Sequence, residues 1–263
     1  MSDTVILDIE NRVAYVTLNR PELHNAFNQQ MIAALAECFT ALADRADIDI
    51  VVLKAAGKSF SAGADMNWMK AAAQYSEEEN HHDALNLARM LKSLFDLPQF
   101  SIALVQGAAM GGGMGLVSCC DLVIAEENTK FALSEVKLGL IPATIAPYVM
   151  RAIGQRQARR YFQSGEFIPA LRAQSIGLIH EVVSGQDQLA VALNNTLSVV
   201  RKNGSGAMRA AKVLATEISA DGEIDDALLD NTARRIAKIR SGAEAQEGLS
   251  AFLEKRKPSW IKA

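Results

Sequence analysis

Two glycine-rich segments and one carboxylate carry the types and spacing from which chemistry can be built. The first segment is Phe60-Ser61-Ala62-Gly63-Ala64-Asp65, and the second runs GAAMGGGMG from Gly107 to Gly115. Each follows an apolar run of strand length, IDIVVLKAA (48–56) and FSIALVQG (100–107), and the second opens the short apolar helix LVSCC. A helix start leaves backbone N–H groups unpaired and pointing outward. The helix dipole favours negative charge there, and glycine lets a ligand come close to the backbone. Two such donors from different loops, converging on one carbonyl oxygen, form an oxyanion hole. That is what a thioester needs when it is polarised towards an enolate. Taken singly, either loop serves equally well as a tight turn or a close packing contact, because glycine signals are common.

A phosphate-binding reading of the second loop fits poorly. No lysine follows in the G-x-x-x-x-G-K-[ST] order, and the acidic residue expected about 20 positions on in a dinucleotide site is missing. Glu135 lies among Leu133, Val136 and Leu138, which sets it apart from a solvated surface carboxylate. Trp68, close after Asp65, reads as either core or a wall of an acyl pocket, while Thr144 and Tyr148 beside Pro142–Pro147 line its acyl end. His81 and His82 stand next to acidic residues on a charged helix, and His180 packs structurally. Cys38, Cys119 and Cys120 read as reduced, buried thiols, and no spacing suggests zinc.

The elements that must hold these groups follow from periodicity. TVILDI (4–9) and VAYVTL (13–18) flank a polar turn and read as a β-hairpin. Residues 28–44 put Met31, Leu35, Cys38, Phe39 and Leu42 on one helical face. IDIVVLKAA is nearly continuous in apolar residues, as a strand covered on both faces requires. A second helix spans 76–96, opened by Ser76 with Glu79 in capping-box spacing and stopped before Pro98. DLVIAE (121–126) and TKFALS (129–134) read as strands, with 108–115 as a glycine loop before them. Strand, strand and helix thus recur about three times, which implies an α/β spiral rather than a doubly wound sheet. From about residue 147 the chain is mainly helical. The expected division is a spiral core over 1–200 and a helical C-terminal oligomerisation region over 201–263.

Composition excludes several classes. The chain has 263 residues, 49% of them hydrophobic, and a formal charge of -3, so a general nucleic-acid surface is not expected. No run of 18 apolar residues suggests a membrane span. The N-terminus lacks the basic and apolar regions of a signal peptide, so the expected location is the cytoplasm.

FSAGAD, then AxxGGG, then CD opening a strand, then F-x-x-x-E-V-x-L-G-L-I-P (Phe131 to Pro142) resemble, in order and spacing, the signature of the crotonase (enoyl-CoA hydratase/isomerase) superfamily. LNRPELHNAF (Leu18–Phe27) and EGLSAFLEKRKPSW (Glu247–Trp260) look like the family's two ends, so the resemblance covers essentially the whole chain. It implies a crotonase-like spiral of ββα repeats, an acyl-CoA thioester as substrate, and a homotrimer or dimer of trimers. It implies no separate cofactor, coenzyme A being part of the substrate. By this resemblance the N–H groups of Ala64 and Gly112 are the oxyanion donors and Glu135 is the catalytic acid/base. Ser61, Ala62, Asp65 and Met66 line the adenine and pantetheine path, with Arg20 and His24 to Ala26 near it. Gly111 and Gly115 count among the substrate-facing positions, and Phe252 and Lys255 resemble tail positions that reach the CoA of an adjacent subunit.

One departure bears on mechanism. Two-glutamate hydratases of this family place their first glutamate two residues after the glycine triplet, where this chain has Gly115. A lone Glu135 suits the superfamily's Δ3,Δ2-enoyl-CoA isomerases. FSAGADMNWMK, GLVSCCD, LSEVKLGLIPATIAP and SGAEAQEGLSAFLEKRKPSW, however, resemble bacterial methylglutaconyl-CoA hydratases, which share that glycine. The resemblance therefore implies hydration of a branched, carboxylated enoyl-CoA, with isomerisation as the alternative. From another class, a catalytically inactive acyl-CoA-binding or RNA-binding protein is the further alternative.

Overall fold

A computed structural model describes residues 3–218 and 222–261 of the chain. By its internal contacts the chain divides into two units, Met1–Leu193 and Asn194–Ala263.

The first unit opens with the hairpin β1 (Val5–Glu10) and β2 (Val13–Leu18), paired antiparallel from Val5↔Leu18 to Glu10↔Val13. Helix α1 (Gln29–Ala43) follows, capped by the Asn28 side chain, which accepts from Met31 N, and it buries Met31, Ile32, Leu35, Phe39 and Leu42. Strand β3 (Ile50–Ala55) pairs parallel with β2, and its first four residues are buried. The short helix α2 (Met66–Ala72) was not legible in the sequence. Helix α3 (Glu77–Phe95) has the expected capping box between Ser76 and Glu79.

Strand β4 (Phe100–Val105) leads into β5 (Ala108–Met110) and α4 (Gly112–Cys119). The expected glycine loop over 108–115 is thus a three-residue strand, one turn residue at Gly111 and a helix start. Strands β6 (Leu122–Glu126) and β7 (Lys130–Ala132) come next, then a 3-10 turn over Glu135–Leu138 and helix α5 (Ala146–Ser164), broken at Gly154 with φ +74°. Strand β8 (Ile168–Pro169), helix α6 (Ala170–Ser175), strand β9 (Glu181–Val183) and helix α7 (Gln186–Val200) follow. The region beyond 147 therefore holds two short strands as well as helices.

The long strands form one sheet in the order β1-β2-β3-β4-β6-β9, and the short ones a second, β5-β7-β8. In the second repeat the short strand shrinks to a single bridge, Ser61↔Ala109. Successive turns of chain thus add long strands to the first sheet and a short strand or bridge beside the second, which is the spiral that the repeats imply. Phe27, Phe39, Phe60, Phe131 and Tyr161 are fully buried in the core. Burial of each such ring contributes roughly 1.5–3 kcal/mol.

The division between units falls within α7 rather than at 200/201, because Leu189 and Leu193 on its first half lie beside Tyr15 and Leu104 of the sheet. In the second unit, α8 (Ser205–Glu217), α9 (Asp226–Arg240) and α10 (Ala243–Leu253) are helical, as expected from their Ala, Leu, Arg and Glu content.

Candidate active site

The Ala64 N–H is aimed by its neighbours. Phe27 N donates to Gly63 O at 2.7 Å and Asp65 N donates to Phe27 O at 2.8 Å, so residues 63 and 65 both bond to Phe27. In that parallel bridge the N–H of the residue between them points the other way. Among the described residues it donates to no protein acceptor. Gly112 is the first residue of α4, so its N–H has no intrahelical partner, and the dipole of α4 adds positive character there. The side chain missing at 112 is itself required, since a Cβ would stand 2.6 Å from the Phe27 ring.

Gly111 is where the two loops and the carboxylate meet. Its φ is +49°, and a Cβ there would lie 3.1 Å from Glu135 Oε1 and 4.0 Å from Gly63 Cα. Glu135 heads the 3-10 turn and shares its half-buried surroundings with Ser134 and Val136. Its Oε2 is buried and has no hydrogen-bond partner. Burial pushes the carboxyl above its ordinary value of 4.5, opposed by a hydrogen bond from its own backbone N–H. A carboxyl raised by burial, with one oxygen left unpartnered, is suited to exchange a proton.

Gly115 sits against apolar side chains. It is buried on α4, and a Cβ there would meet Ile145 Cγ2 at 2.5 Å and Leu91 Cδ2 at 3.4 Å. The first atom of any side chain at 115 therefore meets hydrocarbon.

The expected CoA path separates into exposed and buried parts. Ala62 and Met66 are exposed, Met66 at 75%. The Ser61 side chain is turned inward instead, its Oγ donating to Asn25 O at 2.9 Å. Asp65 is likewise occupied: its Oδ1 accepts from Asn67 N and Trp68 N, and its Oδ2 accepts from Arg20 Nη2 at 2.9 Å. The Arg20 hydrogen bond, above all, holds that carboxyl below its ordinary value. Arg20 Nη1 also donates to the buried Ala26 at its carbonyl, 2.6 Å away, while His24 Nδ1 lies 3.1 Å from Ser59 Oγ. Arg20, Ser61 and Asp65 thus brace the loop through their side chains, with the Ala26 carbonyl as one of the acceptors.

Asn25, within the His24 to Ala26 stretch placed near the CoA path, is the hub of that bracing, a role the sequence reading did not give it. Fully buried at φ +54°, it donates to Ala56 O and Ser59 O, each at 2.8 Å, and accepts from Arg20 N. Asparagine is among the few residues that adopt this left-handed backbone readily, which is the one signal that pointed to it. Trp68 is half-buried against the core, with its indole N–H bound to Asp83. Thr144 is half-buried before Ile145. Tyr148 packs on Phe95 with ring centroids 5.3 Å apart, and burial pushes its hydroxyl up to about 12. His180 Nδ1 accepts from Val123 N, the structural role expected of it. Phe252 and Lys255 belong to the second unit, where both are exposed at the end of α10. The described cysteines are free thiols, and no cluster of three or more metal-ligating side chains occurs among the described residues.

The spiral, the unpartnered N–H groups of Ala64 and Gly112 and the half-buried Glu135 carboxylate fit the class of enzymes that activate an acyl carbonyl. The sequence profile of the enoyl-CoA hydratase/isomerase family matches residues 8–263. A solved enoyl-CoA hydratase from Shewanella pealeana superposes with a TM-score of 0.93 at 44% identity, over 98% of this chain and 96% of its own. A structure from Legionella pneumophila, provisionally described as an enoyl-CoA hydratase/isomerase (crotonase), does so at 0.94 and 42%, over 98% and 99%. The 2,3-dehydroadipyl-CoA hydratase of Escherichia coli is 33% identical over 258 residues, 97% of this chain and 98% of that protein. The chain belongs to the enoyl-CoA hydratase/isomerase family.

Proposed function

We propose that the protein adds water to the double bond of an enoyl-CoA, with a branched or carboxylated acyl group of the 3-methylglutaconyl type. The observation that carries this reading is the buried, unpartnered oxygen of Glu135 next to Gly111 and the Gly63–Ala64 loop. The thioester carbonyl accepts from the N–H groups of Ala64 and Gly112. Ionised Glu135 takes a proton from water as the water oxygen bonds to Cβ. The electron pair of the double bond moves towards the carbonyl, and the enolate that forms is held by the two N–H donors. Glu135 then returns the proton to Cα, so that water is added and the carboxylate is regenerated.

The packing at Gly115 favours a second reading. With Ile145 and Leu91 filling that place, no second carboxylate orients the water. One carboxylate suffices to carry a proton from C4 to C2 of a 3-enoyl-CoA, as in a Δ3,Δ2-enoyl-CoA isomerase. Hydration is preferred because the motifs resemble methylglutaconyl-CoA hydratases that share the glycine at 115, and a terminal carboxylate on the substrate would supply the missing polar group.

Exposed Leu140 and Ile141, and in the second unit Ile224 and Phe252, support assembly into a homotrimer or dimer of trimers. The mass in solution tests this, and a monomer would refute it. Free cysteines and the absence, among the described residues, of a helix long and apolar enough to cross a membrane accord with action in the cytoplasm. The function is tested by ultraviolet absorbance. Loss of the conjugated enoyl-thioester band with 3-methylglutaconyl-CoA, faster than with crotonyl-CoA, is expected. Growth of that band from a 3-enoyl-CoA, with no loss from either conjugated substrate, would make the protein an isomerase. Binding of CoA thioesters without turnover of any would leave an inactive binding protein.

A further inference from the structure

Helix α2 starts immediately after the loop that carries Ala64, yet it has little to hold it. None of its residues is fully buried, and a cavity of about 370 Å³ borders it, lined in part by Arg20, Gln29, Asp65, Asn67, Trp68 and Tyr75. Apolar burial therefore contributes less to placing α2 than to placing α1 or α3. Two carboxylates fix it instead. Asp65 caps its first turn and is anchored in turn by Arg20. The second is Asp83 of α3, itself only 9% exposed. Asp83 Oδ2 accepts from the indole Nε1 of Trp68 at 2.9 Å, and its Oδ1 accepts from Gln29 Nε2 of α1 at 2.9 Å. One buried carboxylate thus ties α2 to α1 and α3 by charge-assisted hydrogen bonds, the stronger kind.

We propose that Asp83 is a positioning residue for the oxyanion hole: through the Trp68 indole it fixes α2, and α2 fixes the direction of the Ala64 N–H. The inference rests on the function proposed above. An oxyanion donor acts only when aimed at the position the oxygen will occupy, and small misplacements cost large factors in rate. A clamp at the first turn of α2 limits how far the adjoining loop can turn.

Two substitutions separate this role from simple support of the fold. Trp68→Phe removes the N–H and keeps the aromatic ring, whereas Asp83→Asn keeps the shape and removes the charge. The probe is a dimethylaminocinnamoyl thioester of CoA, whose absorption moves to longer wavelength as its carbonyl accepts hydrogen bonds. The parent protein should shift the probe strongly. Each variant should bind it within about threefold of the parent's affinity but with less than half the shift, and kcat should fall about ten- to a hundredfold with KM little changed. The double variant should lose no more than the more severe single one, as expected of residues acting through one bond. Full shift and full kcat in both variants would overturn the inference, as would weakened binding with an unchanged shift of the bound probe. No shift in the parent would instead refute the oxyanion reading itself. If Asp83→Asn does not fold, Trp68→Phe decides alone, since its ring still fills the same space.

Discussion

Glu135 couples this molecule's stability to pH. Burial raises its pKa above 4.5, so the folded chain holds that proton more tightly than the unfolded chain does. The stability contributed by the protonated group is fully present below the unfolded value and is lost as pH rises through the folded one. Glu135→Gln removes that loss. The variant should resist denaturant better than the parent near pH 7 and match it near pH 4, where both side chains are uncharged. An advantage of equal size at both pH values would show that burial of the charge is not the cause. In the proposed reaction the first step needs ionised Glu135, so kcat should fall on the acid side with a midpoint above 4.5. Gly115 permits a second test at this scale. Gly115→Ala places a methyl group 2.5 Å from Ile145 Cγ2 and should cost about 1–3 kcal/mol in thermal unfolding. Gly115→Glu should cost more, because it also buries a carboxylate. Part of the alanine loss should return when Ile145→Ala is combined with it, and strict additivity would argue against the contact. Sequence motifs pointed to Glu135 and Gly115, but not to Ile145. Which side chain packs on a bare helix position is settled by the path of the chain between them, and no local pattern records that path.

At the scale of elements, the strongly periodic segments were legible, and of the short ones β7 was but β5 and α2 were not. The hairpin, α1 and α3 follow from alternation, amphipathic spacing and caps, and their ends fall within a few residues of expectation. Strand β5 is three residues of Ala, Ala and Met, neither β-branched nor aromatic, and it exists because Ser61 and Phe131 offer it partners on both sides. Helix α2 is short, follows a glycine loop and buries no residue, so periodicity had nothing to reveal. The start of α4 carries this scale's prediction. Gly112→Ala drives a Cβ into the Phe27 ring at 2.6 Å and should displace the first turn with its N–H. The expected result in steady-state kinetics is a fall in kcat of about a hundredfold with KM nearly constant. An unchanged kcat would mean that the Gly112 N–H is not an oxyanion donor.

For the whole molecule, the spiral supplies what the residues need. Successive turns deliver long strands to a rigid sheet and a short strand or bridge beside it, and the site forms where the short strands give way to loops and helix starts. The Ala64 and Gly112 donors and the Glu135 carboxylate come from three successive turns, so sequence order alone did not place them together. The ββα repeat and the helical C-terminal region were legible because they depend on composition and period. The bracing by Arg20, Asn25 and Asp65 was not, because it depends on buried hydrogen bonds between turns. The measurement that tests the account most directly compares the parent with Glu135→Gln for both turnover of 3-methylglutaconyl-CoA and affinity for a CoA thioester. The account predicts a loss of at least about a thousandfold in kcat with affinity nearly unchanged. A variant that keeps more than about a tenth of the parent's kcat would show that another group moves the proton, and would contradict the assignment of Glu135 as the acid/base.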